Sequence, residues 1–298
     1  MWVQCLCNRL NMVAQAFQYR MAGELSEALA VLDEHGEDAK VLAGGQSLVP
    51  MMHLRLARPE IVLDINRLPG LDQVTARAGE LRVGALVRHR RLERPVVADP
   101  LGTLLAAAAR HVGHLPIRIR GTFAGSLAHA DPAAEWCLVA VAVGARLVLT
   151  SSSGERLVTA DDFFDYPFVT ALRPGELITE VRLPLLGAGT GVAFREHAPT
   201  AGAFAHAAAC ATATLDAGRV TTARLAVAGV GGRPRTLPSA VDALVGAVPS
   251  DRVMEEVRRR VLAAADPPDD PLLPADYRRA LAAELAVAAV TEAIAGAS

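Results

Sequence analysis

Aromatic residues are scarce in this chain: they make up 4% of its 298 residues, whereas hydrophobic residues together make up 52%. The interior must therefore be built mainly from Ala, Val and Leu. Basic and acidic side chains nearly balance, and the formal net charge is −2. This balance argues against a general phosphate-binding surface and so against a nucleic-acid partner. The length is sufficient for two domains, each with its own core.

Cysteine is also rare, and the four residues Cys5, Cys7, Cys137 and Cys210 are scattered along the chain. They form neither a disulfide framework nor a Cys-x-x-Cys cluster. This usage predicts a reducing, cytoplasmic setting, with any iron–sulfur cluster on another chain. Every apolar run of membrane-spanning length is interrupted by a charge, Gly or Pro, so we expect no membrane span.

Composition divides the chain into regions of different character. Residues 1–16 are too short and too interrupted by polar residues for a secretion signal, and we expect them to be an N-terminal extension. Three glycines within residues 187–191 predict a domain boundary. Beyond it, strands precede helices, which favours an α+β domain with helices on one face of an antiparallel sheet.

Periodicity predicts individual elements on both sides of that boundary. The apolar residues of Leu25–His35 recur at helical spacing, and Gly36 would end this helix. On the C-terminal side, two long strands are joined by a turn at 216–218. The other predicted elements are strands at 40–43, 61–65, 81–83, 146–150, 156–158, 177–183, 205–215 and 220–228, and helices at 101–110, 239–245, 251–264 and 275–295.

Two glycine-containing stretches stand between apolar elements: VLAGGQSLVPMMHLRL at 41–56 and IRIRGTFAGSLAHADPAAEW at 117–136. Glycine allows successive backbone N–H groups to turn toward one point and allows a ligand to approach closely. Two such loops could hold a diphosphate from both sides without a lysine. The glycine content alone is equally consistent with two tight turns that bind no ligand. The side-chain donors available there are Gln46, Ser47, Thr122 and Ser126.

The longer segments that contain these loops, VLAGGQSLVPMMHLRLARPEIVLDINRLPGL and IRIRGTFAGSLAHADPAAE, carry a specific resemblance. They resemble the FAD-binding medium subunit of the molybdenum hydroxylases, the family of bacterial carbon monoxide dehydrogenase and xanthine dehydrogenase. The similarity runs from about Phe17 nearly to the end of the chain. Both motifs occur in the family's order, and the first loop has the family's A-G-G-Q-S-L intact.

The resemblance implies an α+β fold with FAD as cofactor. It implies a two-subdomain FAD-binding module of the p-cresol methylhydroxylase type over residues 17–186, with subdomains at about 17–69 and 70–186. A C-terminal domain of the carbon monoxide dehydrogenase flavoprotein type, with an antiparallel sheet and helices, would follow at 187–298. The implied FAD contacts are Ala43, Gly44, Gly45, Gln46, Ser47, Thr122, Phe123, Ala124, Gly125, Ser126, Glu135, Leu172 and Phe204.

The resemblance also implies a role for each group of residues. The two loops would grip the FAD diphosphate, and Glu135 would accept hydrogen bonds from ribityl or ribose hydroxyls as an ionised carboxylate. Leu172 would contact the flavin ring through its backbone, and Phe204 would lie near the ring. No side chain need act as an acid, a base or a metal ligand, because the chemistry belongs to the cofactor.

The function implied is an FAD-dependent oxidoreductase subunit that transfers electrons. A molybdopterin-binding large subunit would hydroxylate the substrate, and a small subunit with [2Fe–2S] clusters would pass the electrons on. FAD would deliver them to NAD, a quinone or another acceptor, and the assembly would be a dimer of heterotrimers. The alternatives are a stand-alone FAD oxidoreductase of the same superfamily and a flavin-free scaffold subunit.

Three departures from the family pattern predict FAD binding at reduced affinity. Ala124 stands where the family has Gly, and a positive φ there would cost on the order of 1 kcal/mol. Ile119 replaces an Asn that precedes the second loop. Ala203 and Phe204 replace an Asp-Tyr pair, with the loss of a carboxylate and a hydroxyl.

Several charged residues have two interpretations. The basic run at 88–91 fits a solvated face or a docking patch for an acidic partner. Arg118 and Arg120 could compensate phosphate charge or face solvent. His111 and His114 have metal-like spacing but lack further ligands, so a solvated helix end is expected.

Ser126, His129 and Asp131 lie within six residues of one another and invite comparison with a catalytic triad. Triad members normally come from separate elements, and the chain has no G-x-S-x-G motif. We therefore expect His129 and Asp131 to shape the loop that follows the phosphate site.

Overall fold

The computed structural model describes residues 14–270 and 273–297, so most of the predicted extension at 1–16 lies outside the described residues. The strands are β1 Gln18–Met21, β2 Ala39–Leu42, β3 Ile61–Asp64, β4 Val74–Arg77, β5 Glu80–Gly84, β6 Arg146–Ser151, β7 Gly154–Thr159, β8 Phe164–Tyr166, β9 Val169–Thr170, β10 Leu177–Pro184, β11 Thr190–His197, β12 Ala207–Asp216, β13 Arg219–Ala228 and β14 Arg235–Thr236. The helices are α1 Leu25–His35, α2 Leu48–His53, α3 Pro100–Ala109, α4 Leu115–Arg120, α5 Phe123–His129, α6 Glu135–Val143, α7 Ala160–Phe163, α8 Pro238–Val241, α9 Asp251–Ala264 and α10 Ala275–Gly296. The mixed α+β fold class is confirmed.

The first sheet contains three parallel strands in the order β1-β3-β2. Helix α1 covers it with the apolar face that includes Ala28, Leu29 and Leu32. The carboxyl ends of parallel strands meet at one edge of a sheet. The first glycine loop follows β2, and Asn66 follows β3, so both lie at that edge.

The second sheet has five antiparallel strands in the order β4-β5-β10-β6-β7. Helix α6 contributes to the same core, and every residue from Trp136 to Val143 is buried. It ends at Gly144, which adopts a left-handed conformation with φ 71°. A helix that is apolar on all sides has to lie in the interior of the protein.

The third sheet is antiparallel, with the order β11-β12-β13-β14 and a turn at Ala217 and Gly218 between its two long strands. Alternate residues of β12 face opposite sides. Ala209 belongs to the core under α10, whereas Ala208 and Cys210 belong to the core that contains α6. The helices α9 and α10 therefore cover one face, as predicted, and α6 covers the other.

Small residues allow the close approach of α10 to this sheet. A Cβ atom added to Gly191 in β11 would lie 1.8 Å from the carbonyl oxygen of Ala293. Only glycine fits there without moving the helix. The predicted domain boundary at 187–191 falls in the connection between β10 and β11. One core contains residues from both sides of it, and the division into domains stays a prediction.

Most predicted elements are present within one or two residues of the expected ends. The helix predicted at 239–245 is shorter: α8 has four residues, and turns follow it. An additional helix, α5, begins inside the second glycine loop. Within the described residues, no helix combines the length and the hydropathy needed to span a bilayer.

Candidate functional site

The two glycine loops contact each other through their backbones. A Cβ atom added to Gly44 would lie 2.5 Å from both the carbonyl oxygen of Arg120 and the Cα atom of Gly121. Real Cβ contacts are essentially never this short, so the first loop requires glycine at this position. The structure thus brings together the early loop and the mid-chain loop that the sequence paired as one site.

The first loop, residues 43–47, connects β2 to α2. Gly45 has φ 71°, and the side-chain amide of Gln46 donates to the carbonyl oxygen of Gly44 at 3.0 Å. In the part of the chain that the structure describes, the backbone N–H groups of residues 44–47 donate no hydrogen bond. Successive free N–H groups in a turn with a left-handed residue form a site for an anion.

The second loop leads directly into α5. Thr122 caps this helix, because its side-chain oxygen accepts from the N–H of Gly125 at 3.1 Å. Phe123 and Ala124 are buried, and the ring of Phe123 packs at 5.0 Å from that of Trp136. These two residues can reach a ligand only through their backbones, whereas Gly125 and Ser126 are partly exposed.

The strain considered for Ala124 does not arise. Ala124 lies within helix α5 and does not adopt a positive φ. Its methyl group is buried in the main core. The departure from the family's glycine therefore has no backbone cost, and this reason to expect weak FAD binding is removed.

A chain of hydrogen bonds supports both loops from residues that the sequence analysis did not identify as part of the site. Arg88 donates to the side-chain oxygen of Asn66 at 2.6 Å and to the carbonyl oxygen of Arg120. Asn66 in turn donates to the carbonyl oxygen of Ala43 at 2.8 Å. Arg88 is half-buried and joins the loops through these hydrogen bonds, in contrast to the exposed Arg90 and Arg91.

His89 forms the packing surface behind the second loop. Its Nδ1 atom accepts from the indole N–H of Trp136 at 2.9 Å, and its backbone N–H donates to the carbonyl oxygen of Gly121 at 3.0 Å. A Cβ atom on Gly121 would lie 2.5 Å from its Nε2 atom. Burial, followed by the charges of Arg88 and Arg118, lowers the pKa of His89 to about 4. This imidazole is therefore neutral near pH 7.

Glu135 is half-buried and lies near the acidic and histidine side chains of other elements. It begins α6, and burial, assisted by the charge of Glu196, raises the pKa of Glu135 to about 7. Glu196 of β11 lies 3.6 Å from the Nδ1 atom of His111, and its carboxylate raises the pKa of His111. Near neutral pH the Glu135 carboxyl is therefore divided between its protonated and ionised forms, and its contact with FAD hydroxyls stays a prediction.

The two residues predicted to be near the flavin ring lie outside the loops. Leu172 is half-buried, and its N–H donates to the side-chain oxygen of Thr170 at 3.3 Å. Phe204 is 68% exposed, in the connection between β11 and β12. Gly202 in that connection approaches the segment before α4, because a Cβ atom on it would lie 2.8 Å from the His114 ring. Leu172 and Phe204 as ring contacts stay predictions.

The arginines that flank the second loop have different environments. Arg118 donates to Glu93 at 2.6 Å and to the carbonyl oxygens of Val112 and Gly113, so it does not simply face solvent. It stabilises the turn before α4. Arg120 has an exposed side chain and uses its carbonyl oxygen to join the loops.

The histidine and aspartate residues that the sequence places near one another have structural roles. His129 packs against the ring of Phe168 at 5.1 Å, and Asp131 accepts from the N–H of Ala133 at 2.8 Å, as expected for residues that shape this loop. His111 pairs with Glu196 and is not simply solvated. Over the described residues, no three His, Cys, Asp or Glu side chains form a candidate metal site.

Comparison with known families covers nearly the whole described chain. Residues 15–186 match the family described as "FAD binding domain in molybdopterin dehydrogenase", and residues 192–293 match "CO dehydrogenase flavoprotein C-terminal domain". The chain belongs to the FAD-binding medium subunits of the molybdenum hydroxylases. The predicted family is thereby confirmed.

Individual relatives of this medium subunit support the same family assignment. The alpha subunit of the 6-hydroxypseudooxynicotine dehydrogenase complex of Paenarthrobacter nicotinovorans is 37% identical, over 85% of this chain and 86% of the relative. The beta subunit of caffeine dehydrogenase of Pseudomonas sp. (strain CBB1) is 35% identical over 93% of this chain and 95% of its own. A chain of carbon monoxide dehydrogenase from Hydrogenophaga pseudoflava superposes with TM-score 0.93 and 33% identity, covering 96% of this chain and 100% of that chain.

FAD is the cofactor of this medium subunit, as predicted. The residues present fit it, because the free N–H groups of the first loop and the contact between both loops provide an anion site without a lysine. The chain is a subunit of an FAD-dependent oxidoreductase, which confirms the predicted enzyme class.

Proposed function

We propose that this subunit transfers electrons from the [2Fe–2S] clusters of a small partner subunit, through FAD, to an external acceptor such as NAD or a quinone. The observation that carries the proposal is the backbone contact between the two glycine loops at Gly44 and Gly121. Bound FAD supplies the redox chemistry, since a flavin can exchange electrons singly with a cluster and in pairs with an acceptor.

The predicted FAD contacts follow as part of the proposal. The loop residues 43–47 and 122–126 would hold the diphosphate, mainly through backbone N–H groups. Asn66 and Arg88 would keep the loops at a fixed separation without contacting the cofactor. Glu135, with its raised pKa, could donate as well as accept a hydrogen bond to a cofactor hydroxyl.

The partners proposed are a molybdopterin-binding large subunit and a [2Fe–2S] small subunit, in a dimer of heterotrimers in the cytoplasm. Support comes from the names of relatives, which include "medium chain" of carbon monoxide dehydrogenase at 32% identity over 95% of this chain. Hydroxylation would take place on the large subunit, so the pocket for the organic substrate would lie outside this chain.

The proposal can be tested by expressing this chain together with its large and small partner subunits, with and without the substitution Gly44→Ala. The Cβ atom of the variant cannot fit against Arg120 and Gly121, so the purified complex should lose its flavin absorbance and its transfer of electrons to the acceptor. Gly23→Ala is the matched control, because its nearest neighbour would be 3.9 Å away. A Gly44→Ala complex with full flavin content would contradict the loop assignment, and turnover by the isolated chain would contradict the subunit role.

A further inference from the structure

Unpaired arginines gather beside the second glycine loop. In the described part of the chain, most arginine side chains donate to a carboxylate or to a carbonyl oxygen. Over the same residues, four exposed arginines near this loop donate no side-chain hydrogen bond and form no ion pair: Arg90, Arg91, Arg94 and Arg120. Glu93, the acidic residue between them in sequence, is already paired with Arg118 at 2.6 Å. Because the whole chain has a net charge of −2, this positive charge is a local excess.

Exposed apolar side chains lie next to these arginines. The ion pair between Arg118 and Glu93 joins helix α4 to the turn His89–Leu92 and the residues that follow it. Leu115 and Ile119 of α4 are 49% and 42% exposed, and they lie one helical turn apart on the same face. Apolar side chains bordered by exposed arginines are typical of a protein interface. We call Arg90, Arg91, Arg94, Leu115, Ile119 and Arg120 the basic surface.

The basic surface is fixed to the second glycine loop. The backbone N–H of His89 donates to the carbonyl oxygen of Gly121 at 3.0 Å, and the N–H of Gly121 donates to the carbonyl oxygen of Ile117 at 2.7 Å. Both the turn and α4 are therefore held against the loop before any partner binds, which lowers the cost of ordering an interface. A partner that binds here lies close to the cofactor loops.

We propose that the basic surface binds the [2Fe–2S] small partner subunit through an acidic face of that subunit. This inference rests on the proposed function, because a subunit that delivers electrons to FAD has to bind near the cofactor. The exposed arginines would pair with carboxylates at the rim of the interface, and Leu115 and Ile119 would be buried inside it. Charge complementarity would also speed the association.

A nucleotide acceptor such as NAD is a different kind of ligand that exposed arginines can bind. The two apolar side chains on α4 favour a protein, since an interface buries such residues at its centre. The basic run at 88–91 thereby divides: Arg88 supports the loops, whereas Arg90 and Arg91 belong to the docking surface.

Calorimetric titration of the FAD-loaded full chain with the small subunit, purified from the native complex, tests the proposal. Arg90→Glu/Arg94→Glu should weaken binding by at least about tenfold and reduce its dependence on salt, because attractive charge pairs become repulsive. Arg90→Gln/Arg94→Gln should show a smaller loss in the same direction. Arg77→Glu/Arg252→Glu is the matched control, since it reverses the same charge at exposed arginines of β4 and α9. The control should bind the small subunit as the unchanged chain does.

Flavin absorbance of each variant shows whether the cofactor site is intact, and it should be unchanged. Equal affinities of the reversal variant and the control would overturn the proposal. So would loss of the large subunit in place of the small one, or loss of NADH binding with the small subunit still bound. A native complex without a [2Fe–2S] subunit would contradict the proposed function itself, whereas a complex that contains this subunit but is insensitive to the arginines contradicts only the docking surface.

Discussion

Replacing Glu135 by Gln should alter the pH dependence of stability. Burial raises the pKa of this carboxyl from 4.5 to about 7. Between these values the unfolded chain has lost the proton and the folded chain keeps it, so the folded state loses stability as the pH rises. The interval corresponds to about 3 kcal/mol. Glutamine cannot ionise, so the variant should lack this loss.

His89 has the opposite effect over nearly the same interval. Its pKa falls from 6.5 to about 4, so its contribution to stability is present above pH 6.5 and is lost as the pH falls toward 4. The two groups therefore oppose each other, each with about 3 kcal/mol. With Glu135 replaced, the His89 contribution remains, and stability should rise with pH in this range.

Urea unfolding midpoints of the FAD-free proteins, measured from about pH 4 to about pH 8, provide the assay. The free energy of unfolding of Glu135→Gln minus that of the unchanged protein should grow by about 3 kcal/mol up to about pH 7 and then stay constant. Exposed Glu37 provides the control, Glu37→Gln, which should show no such change. A difference that does not vary with pH would refute the assignment of the raised pKa to Glu135.

Three further substitutions test the supports of the fold and the loops. Asn66→Ala removes the bonds to Ala43 and Arg88 and should lower FAD affinity by about tenfold with little change in melting temperature; unchanged affinity, measured by fluorescence titration, would argue against the loop support. Gly191→Ala forces α10 away from β11 and should destabilise by about 2 kcal/mol or more in urea, unlike Gly231→Ala, whose nearest neighbour is 3.9 Å away. Ala124→Gly should destabilise by about 1 kcal/mol without any gain in FAD affinity; tighter binding would show that the loop needs glycine there.

The extent to which the fold could be predicted depended on where each element lies. Helix α1 was recognised because one of its faces is apolar and the other is solvated, and because Gly36 ends it. Helix α6 has no solvated face, so its apolar residues show no periodicity, and it is absent from the elements predicted from the sequence. The helix predicted at 239–245 failed at its C-terminal end, where a turn with Gly246 at φ 81° takes over.

The residues of the candidate site could also be predicted only in part. The two loops could be recognised because their glycines and polar residues are local in sequence and match a family motif. Asn66, Arg88 and His89 could not, because their roles depend on contacts with chain segments far away in sequence. The raised pKa of Glu135 likewise depends on burial and on Glu196, which comes from the third sheet.

The three departures from the family pattern differ in where they lie relative to the contact between the loops. Ala124 is one of the three departures that predict weak FAD binding, and its helical backbone removes that reason. Ile119 and Ala203 remain, and both lie on surfaces that border the loops rather than in the contact between them: Ile119 is 42% exposed on α4, and Ala203 is in the connection that approaches His114. Any loss of affinity should therefore come from missing polar contacts to the cofactor, while the closure of the loops, which depends on Gly44, Gly121 and their supports, is preserved.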